Sequence, residues 1–181
     1  MPDSCTFEQA SLAEPLSVVI HASRRCGLSA SQSVLVYGVG AIGLLACALA
    51  KHMGASRVCA IDINPVRLEF AKKHGFADAV YCLPPPSSSS SSSHSLPKSN
   101  CCSANPNGIS KLSASATALP PSAAEDQIKR AKDSATAALA AFDAKDGFDV
   151  VFECTGAESA IQMSVFVRIS SSSSLPLPYI H

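Results

Sequence analysis

The chain contains no tryptophan, 6% aromatic residues in all, no excess of either charge and no long apolar run. Each absence excludes something. Lys+Arg and Asp+Glu both number 14, which leaves no net electrostatic footprint for nucleic acid or an anionic membrane. No apolar stretch reaches the ~20 residues that span a bilayer, and Met1 to Ser4 has neither the basic region nor the apolar core of an export signal. A soluble cytoplasmic protein with small-molecule partners is expected. The 8 cysteines include no CxxC pair, and Cys101 and Cys102 are adjacent, a spacing unsuited to zinc. Cys47, Cys59 and Cys154 fall in or beside predicted core elements, where a reduced thiol packs as a small apolar group. At 181 residues there is room for one domain of ordinary size.

What is present is a strand-like run, Val34 to Tyr37, leading into Gly38-Val39-Gly40-Ala41-Ile42-Gly43, with Asp62 closing a second apolar run. This is a dinucleotide-binding fingerprint in its proper setting, because the glycines follow a strand, open a helix and have an acid at the expected distance. Gly38 permits the tight turn, Gly40 lets the backbone approach a pyrophosphate, and Gly43 lets the helix pack on the sheet. The helix is expected over Ala41 to Met53, with Ile42, Leu45, Leu49 and Met53 on one face and Gly54 as its stop. Its free amides and positive end would face phosphate. Asp62 can accept from both hydroxyls of an adenosine ribose and would repel a 2′-phosphate, so NAD is expected over NADP. Arg67 has two readings, a solvated helix charge or a contact over adenine or ribose.

The rest of the pattern alternates strand and helix. Thr6 to Gln9 is a capping box, Glu14-Pro15 restarts a helix whose Leu16, Val19, Ile20 and Ser23 share a face, and Asn64-Pro65 opens another that ends at Gly75. A third strand centres on Ala79 to Tyr81. Ser122 to Glu125 is a second capping box, heading a helix whose Ile128, Ala131, Ala135, Ala138 and Phe142 share a face; Glu125 with Lys129 and Asp126 with Arg130 are helix-spaced ion pairs. Phe148 to Phe152 is the fourth strand, and Ala157 to Val167 a final helix. The expected fold is an α/β Rossmann-type nucleotide-binding domain with parallel strand order 3-2-1-4. Gly38 to Gly43 and Glu153 to Gly156 would then flank one crevice. Residues 1–33 read as a helical lead-in and 34–167 as the domain. The seven serines from Ser87 to Ser93 mark a disordered insertion over 84–121, and 168–181 a disordered tail.

Glu14-Pro15-Leu16-Ser17-Val18-Val19-Ile20-His21, the glycine motif, Asp62 with Arg67, and Phe152-Glu153-Cys154-Thr155-Gly156-Ala157-Glu158 together resemble the sorbitol/xylitol (polyol) dehydrogenases of the zinc-dependent medium-chain alcohol dehydrogenase family. The resemblance covers about Asp3 to Leu83 and Asp146 to Val167. It implies an NAD-linked oxidation of a secondary alcohol such as sorbitol or xylitol to the ketose. It implies also that Ile42 and the adjacent amides of Gly40, Ala41 and Gly43 contact pyrophosphate, that Asp62 and Arg67 hold the adenosine ribose, and that Thr155 and Gly156 border the nicotinamide half. Glu14 matches a glutamate near the catalytic zinc, although a helix N-terminal carboxylate favoured by the dipole would explain it equally. His21 reads as packing.

In that family a preceding domain supplies the zinc ligands, and further strands follow the last helix. Neither is found here, so the chain is expected to be a coenzyme-domain piece truncated at the C-terminal strands, binding no zinc and lacking turnover. The resemblance implies a homo-oligomer paired through those edge strands, which is not expected without them. The insertion and tail read as translated non-coding sequence, or else the protein is a genuine shortened one. The competing functions are a non-catalytic NAD-binding module and an S-adenosylmethionine-binding, methyltransferase-like domain.

Overall fold

Strands of a parallel sheet are covered on both faces, and the first strand, β1 (Ser33–Tyr37), shows it: Val34, Leu35, Val36 and Tyr37 are all buried, an unbroken apolar run without alternation. The computed structural model describes residues 3–84 and 121–168. The remaining elements are α1 (Phe7–Ser11), α2 (Ala13–Arg25), α3 (Ala41–His52), β2 (Arg57–Asp62), α4 (Pro65–Lys73), β3 (Ala79–Cys82), α5 (Pro121–Ala141), β4 (Val150–Glu153) and α6 (Glu158–Val167). The sheet is parallel throughout in the expected order β3-β2-β1-β4. Most of the expected insertion and tail, residues 85–120 and 169–181, lies outside the described residues.

Period 2 along the strands divides the core into two layers. Val34, Val36, Val58, Ala60, Val150 and Phe152 face α2, α3 and α4, meeting Val19, Ala46, Cys47, Ala50, Leu68 and Ala71. Leu35, Tyr37, Cys59 and Ile61 face α5 and α6, meeting Ala131, Ala135, Ala138, Phe142, Met163 and Val167. The alanines bring helix backbones close to the sheet. Cys47 and Cys59 are fully buried and all described cysteines are free, in keeping with packing thiols.

Local signals decide the helix ends. Thr6 and Gln9 form the reciprocal capping box, and Asn64 caps α4 by accepting from the Val66 amide at 3.0 Å. Several expectations need correction. The buried face of α3 is Gly43, Ala46, Cys47 and Ala50, while Ile42 is 36% exposed and Leu45, Leu49 and Met53 are half-buried. Small residues win the sheet-facing side because they allow closer approach, and Leu45, Leu49 and Met53 pack partly buried against the margin of that core. His21 is exposed on α2, so it does not pack. Ile128 is 50% exposed, a turn ahead of the alanine ridge that seats α5. Helix α5 already runs at Pro121, which puts Ser122 inside its first turn instead of at the cap. Among the described residues the one salt bridge is Lys51 to Asp78, so the pairs drawn on α5 do not form. Strand β4 starts later than expected, and Phe148 instead makes a parallel bridge with Arg168, a residue expected in the tail.

The Tyr37 hydroxyl is buried with no hydrogen-bond partner among the described residues, and desolvation pushes its ionisation well above the ordinary phenol range. A buried unsatisfied hydroxyl costs about 1–3 kcal/mol. Tyr37→Phe keeps the ring and removes the orphan, so it should stabilise the chain by about 1 kcal/mol in urea unfolding. Destabilisation of similar size would show that the hydroxyl has a partner.

Candidate functional site: the crevice at the carboxyl ends of β1, β2 and β4

The order reverses between β1 and β4, and both strands end at the same rim of the sheet. In open α/β sheets that reversal leaves a crevice where ligands bind. Along its floor the chain leaves β1 through Gly38, whose amide donates to the Ile61 carbonyl at 2.7 Å and whose φ is +83°. Gly43 has almost no room: a Cβ there would lie 1.8 Å from the Gly38 carbonyl oxygen. Gly40 is the opposite case, with nothing within 4 Å of a Cβ built on it. The open side of Gly40 leaves room for a ligand to come close to the backbone.

Gly40 is the N-cap of α3, which has no side-chain cap and no acid in its first turn. The leading amides of Ala41, Ile42 and Gly43 therefore come to the rim with no side chain among the described residues to satisfy them, and the helix dipole adds positive character there. The first closed helical bond is from the Leu44 amide to the Gly40 carbonyl, 2.9 Å. This arrangement suits an anion.

Asp62 ends β2 with 6% exposure. One carboxylate oxygen accepts from the Val39 amide at 2.8 Å and the other from the Asn64 amide at 2.8 Å. The acid thus ties the glycine loop to the start of α4, a structural duty not foreseen in the sequence. Each carboxylate oxygen offers two acceptor positions, so each keeps one beyond these backbone donors.

The fourth strand brings Thr155 and Gly156 to the same crevice. Tyr37 pairs with Glu153, the Cys154 amide donates to the Tyr37 carbonyl at 2.9 Å, and a Cβ on Gly38 would strike the Thr155 methyl at 2.6 Å. Gly38, Gly40, Ala41, Ile42, Gly43, Asp62, Thr155 and Gly156 are therefore gathered at one rim. Arg67 is exposed on α4, and its side chain makes no hydrogen bond to another described residue. Glu14 is exposed in the first turn of α2, where a carboxylate complements the dipole. Sequence reasoning put Glu153 on the crevice but gave it no role; the available signal was an acid at a strand's carboxyl end with Thr155-Gly156 two residues on.

Burial pushes Cys47 and Cys154 up to about 12 and Cys59 up to about 11, leaving them protonated at neutral pH. Among the described residues no group of three or more His, Cys, Asp and Glu is placed to hold a metal. No described helix is long and apolar enough to cross a membrane.

The family model described as zinc-binding dehydrogenase matches residues 41–88, from the first turn of α3 past β3. D-xylulose reductase A of Aspergillus niger is 49% identical over 74 residues, 41% of this chain and 21% of that protein. The chain thus matches about a fifth of the length of its curated relatives. Among solved structures, alcohol dehydrogenase from Thermus sp. superposes with a TM-score of 0.56 at 19% identity, covering 98% of this chain and 41% of that one. L-idonate 5-dehydrogenase from Escherichia coli superposes with a TM-score of 0.54 at 23% identity, covering 92% and 34%. At these identities the superpositions speak for the fold alone.

Proposed function

We propose, from the premise that this chain carries a segment of the zinc-dependent medium-chain polyol dehydrogenase type, that the crevice binds NAD in preference to NADP. The observation that carries the proposal is Asp62, a nearly buried carboxylate tied to the glycine loop, beside the open face of Gly40 and an uncapped helix. A dinucleotide would lay its pyrophosphate on the amides of Ala41 to Gly43 and a ribose against Asp62. A 2′-phosphate at that ribose would meet a negative charge in a low-dielectric setting, which disfavours NADP. Thr155 and Gly156 would form the facing wall, and Arg67, exposed on α4, would be the candidate for a further contact with the adenosine ribose.

In the whole relatives, the parental reaction would be oxidation of a polyol's secondary alcohol to the ketose, with hydride passing to NAD. When bound, the coenzyme supplies the hydride acceptor; the residues of this chain bind it, orient it and select against its phosphorylated form. Zinc does not fit the described residues, because Glu14 has no partner ligands and catalytic sites need about three.

The test is an assay of the purified 181-residue chain with NAD, NADP and S-adenosylmethionine, followed by sorbitol or xylitol with and without zinc. NAD should bind at least about tenfold more tightly than NADP, a difference of about 1.4 kcal/mol, with no NADH formed. Equal affinity for the two nucleotides would sink the role of Asp62. Preferential binding of S-adenosylmethionine would replace the reading with the methyltransferase-like one, and zinc-dependent NADH formation would make the chain a dehydrogenase by itself.

A further inference from the structure

We infer that Glu153 is a positioning residue for the crevice, its carboxylate holding the turn between β4 and α6 against the glycine loop. The inference rests on the nucleotide-binding reading above. Pairing with β1 continues one residue beyond β4, through the Cys154 amide on the Tyr37 carbonyl at 2.9 Å, and then the chain turns away with Gly156 at φ +69°. At that turn the Glu153 side chain folds back along its own backbone. One oxygen, Oε1, accepts from the Thr155 amide at 2.7 Å and from the Thr155 hydroxyl, and the Gly156 amide lies 3.1 Å from both oxygens. Thr155 Oγ1 in turn accepts from the Ala157 amide at 3.0 Å, at the N-cap of α6, which has no other side-chain cap.

A single carboxylate therefore receives the Thr155 amide and hydroxyl and the Gly156 amide, three donors between the end of β4 and the start of α6. The consequence reaches across the crevice, because the braced Thr155 carries the methyl that limits the space over Gly38 to 2.6 Å from a Cβ. With Oε1 taken by the turn, Glu153 acts on a ligand by way of Thr155, whose position it fixes. These hydrogen bonds are exposed, so water could replace them in many arrangements without unfolding the chain. What would be lost is the single geometry of the wall, and a ligand would then have to order it at the expense of affinity. The positive end of α6 favours the carboxylate where it sits.

The experiment is titration of NAD into the full chain and into Glu153→Gln and Glu153→Ala, with thermal unfolding measured alongside. Glu153→Ala should weaken NAD binding by about tenfold and Glu153→Gln by about two- to threefold, because the glutamine oxygen can keep the place of Oε1. Formate should recover part of the alanine variant's affinity by supplying a carboxylate to the vacated donors, while leaving wild type unchanged. The unfolding midpoint should move little. Unaltered NAD affinity in Glu153→Ala would overturn the inference. So would equal losses in both variants with a falling midpoint and no response to formate, since that pattern marks a purely structural role. Failure of wild type to bind NAD would overturn the nucleotide reading and this inference with it.

Discussion

Gly43→Ala is expected to destabilise the chain by about 3–5 kcal/mol, enough to unfold a domain of ordinary stability. In an exposed helix interior the same change would be favourable by roughly 1 kcal/mol, since alanine is the better helix former. Here the clash dominates. The added methyl would lie 1.8 Å from the Gly38 carbonyl oxygen and 2.9 Å from its carbon, both backbone atoms that cannot swing aside. Relief requires α3 to move off the sheet, and Ala46, Cys47 and Ala50 would lose their contacts together. Gly40→Ala is the informative control. Its φ is −74° and nothing lies within 4 Å of the new methyl, so folding should be nearly unaffected while the methyl occupies the phosphate space. Urea midpoints and NAD titrations of the two variants check the pair. A cost under about 1 kcal/mol for Gly43→Ala would show that α3 can shift freely.

Asp62→Ala should affect folding and coenzyme choice at once. It strands the amides of Val39 and Asn64, which now donate to the two carboxylate oxygens at 2.8 Å each. Each unsatisfied buried donor costs about 1–3 kcal/mol, so a loss of about 2–4 kcal/mol is expected, reduced where water reaches Asn64. Removing two charge-assisted ribose bonds should weaken NAD by about a hundredfold. NADP should lose less, because the substitution also removes the repulsion of its phosphate, and the gap between the coenzymes should narrow. Nucleotide titrations at a temperature where the variant remains folded measure this, and an unchanged preference for NAD would remove Asp62 as its cause.

Much of this arrangement was legible in the sequence because its cues are local. Four apolar residues ending in Gly38 specify a covered strand, Thr6 with Gln9 and Asn64 with Pro65 fix two helix starts, and the alternation of elements constrains the strand order. The errors arose where a periodic pattern has to choose its partner. On α3 the large side chains Ile42, Leu45, Leu49 and Met53 look like the core face, but close packing on the sheet selects Gly43, Ala46, Cys47 and Ala50. On α5 a helical stripe suggested that Ile128 is buried, yet periodicity does not say where along the helix the neighbouring layer stops. The site shows the same division. Gly38, Gly40, Gly43 and Asp62 are readable from spacing, whereas the second duty of Asp62 and the brace at Glu153 depend on hydrogen bonds that no spacing encodes. Arg67 could not be assigned because a long exposed cation satisfies both of its readings equally.

The most direct measurement of the central claim is an amide-resolved NMR titration of the intact chain with NAD. Binding in the crevice predicts shifts at Gly40, Ala41 and Ile42 on the glycine loop and first turn of α3, at Asn64 beside Asp62, and at Thr155 and Gly156 on the facing wall. Lys72, Lys73 and Gly75, at the far end of α4, should remain unperturbed. An unchanged spectrum at saturating NAD, or shifts confined to residues away from the carboxyl ends of β1, β2 and β4, would contradict it.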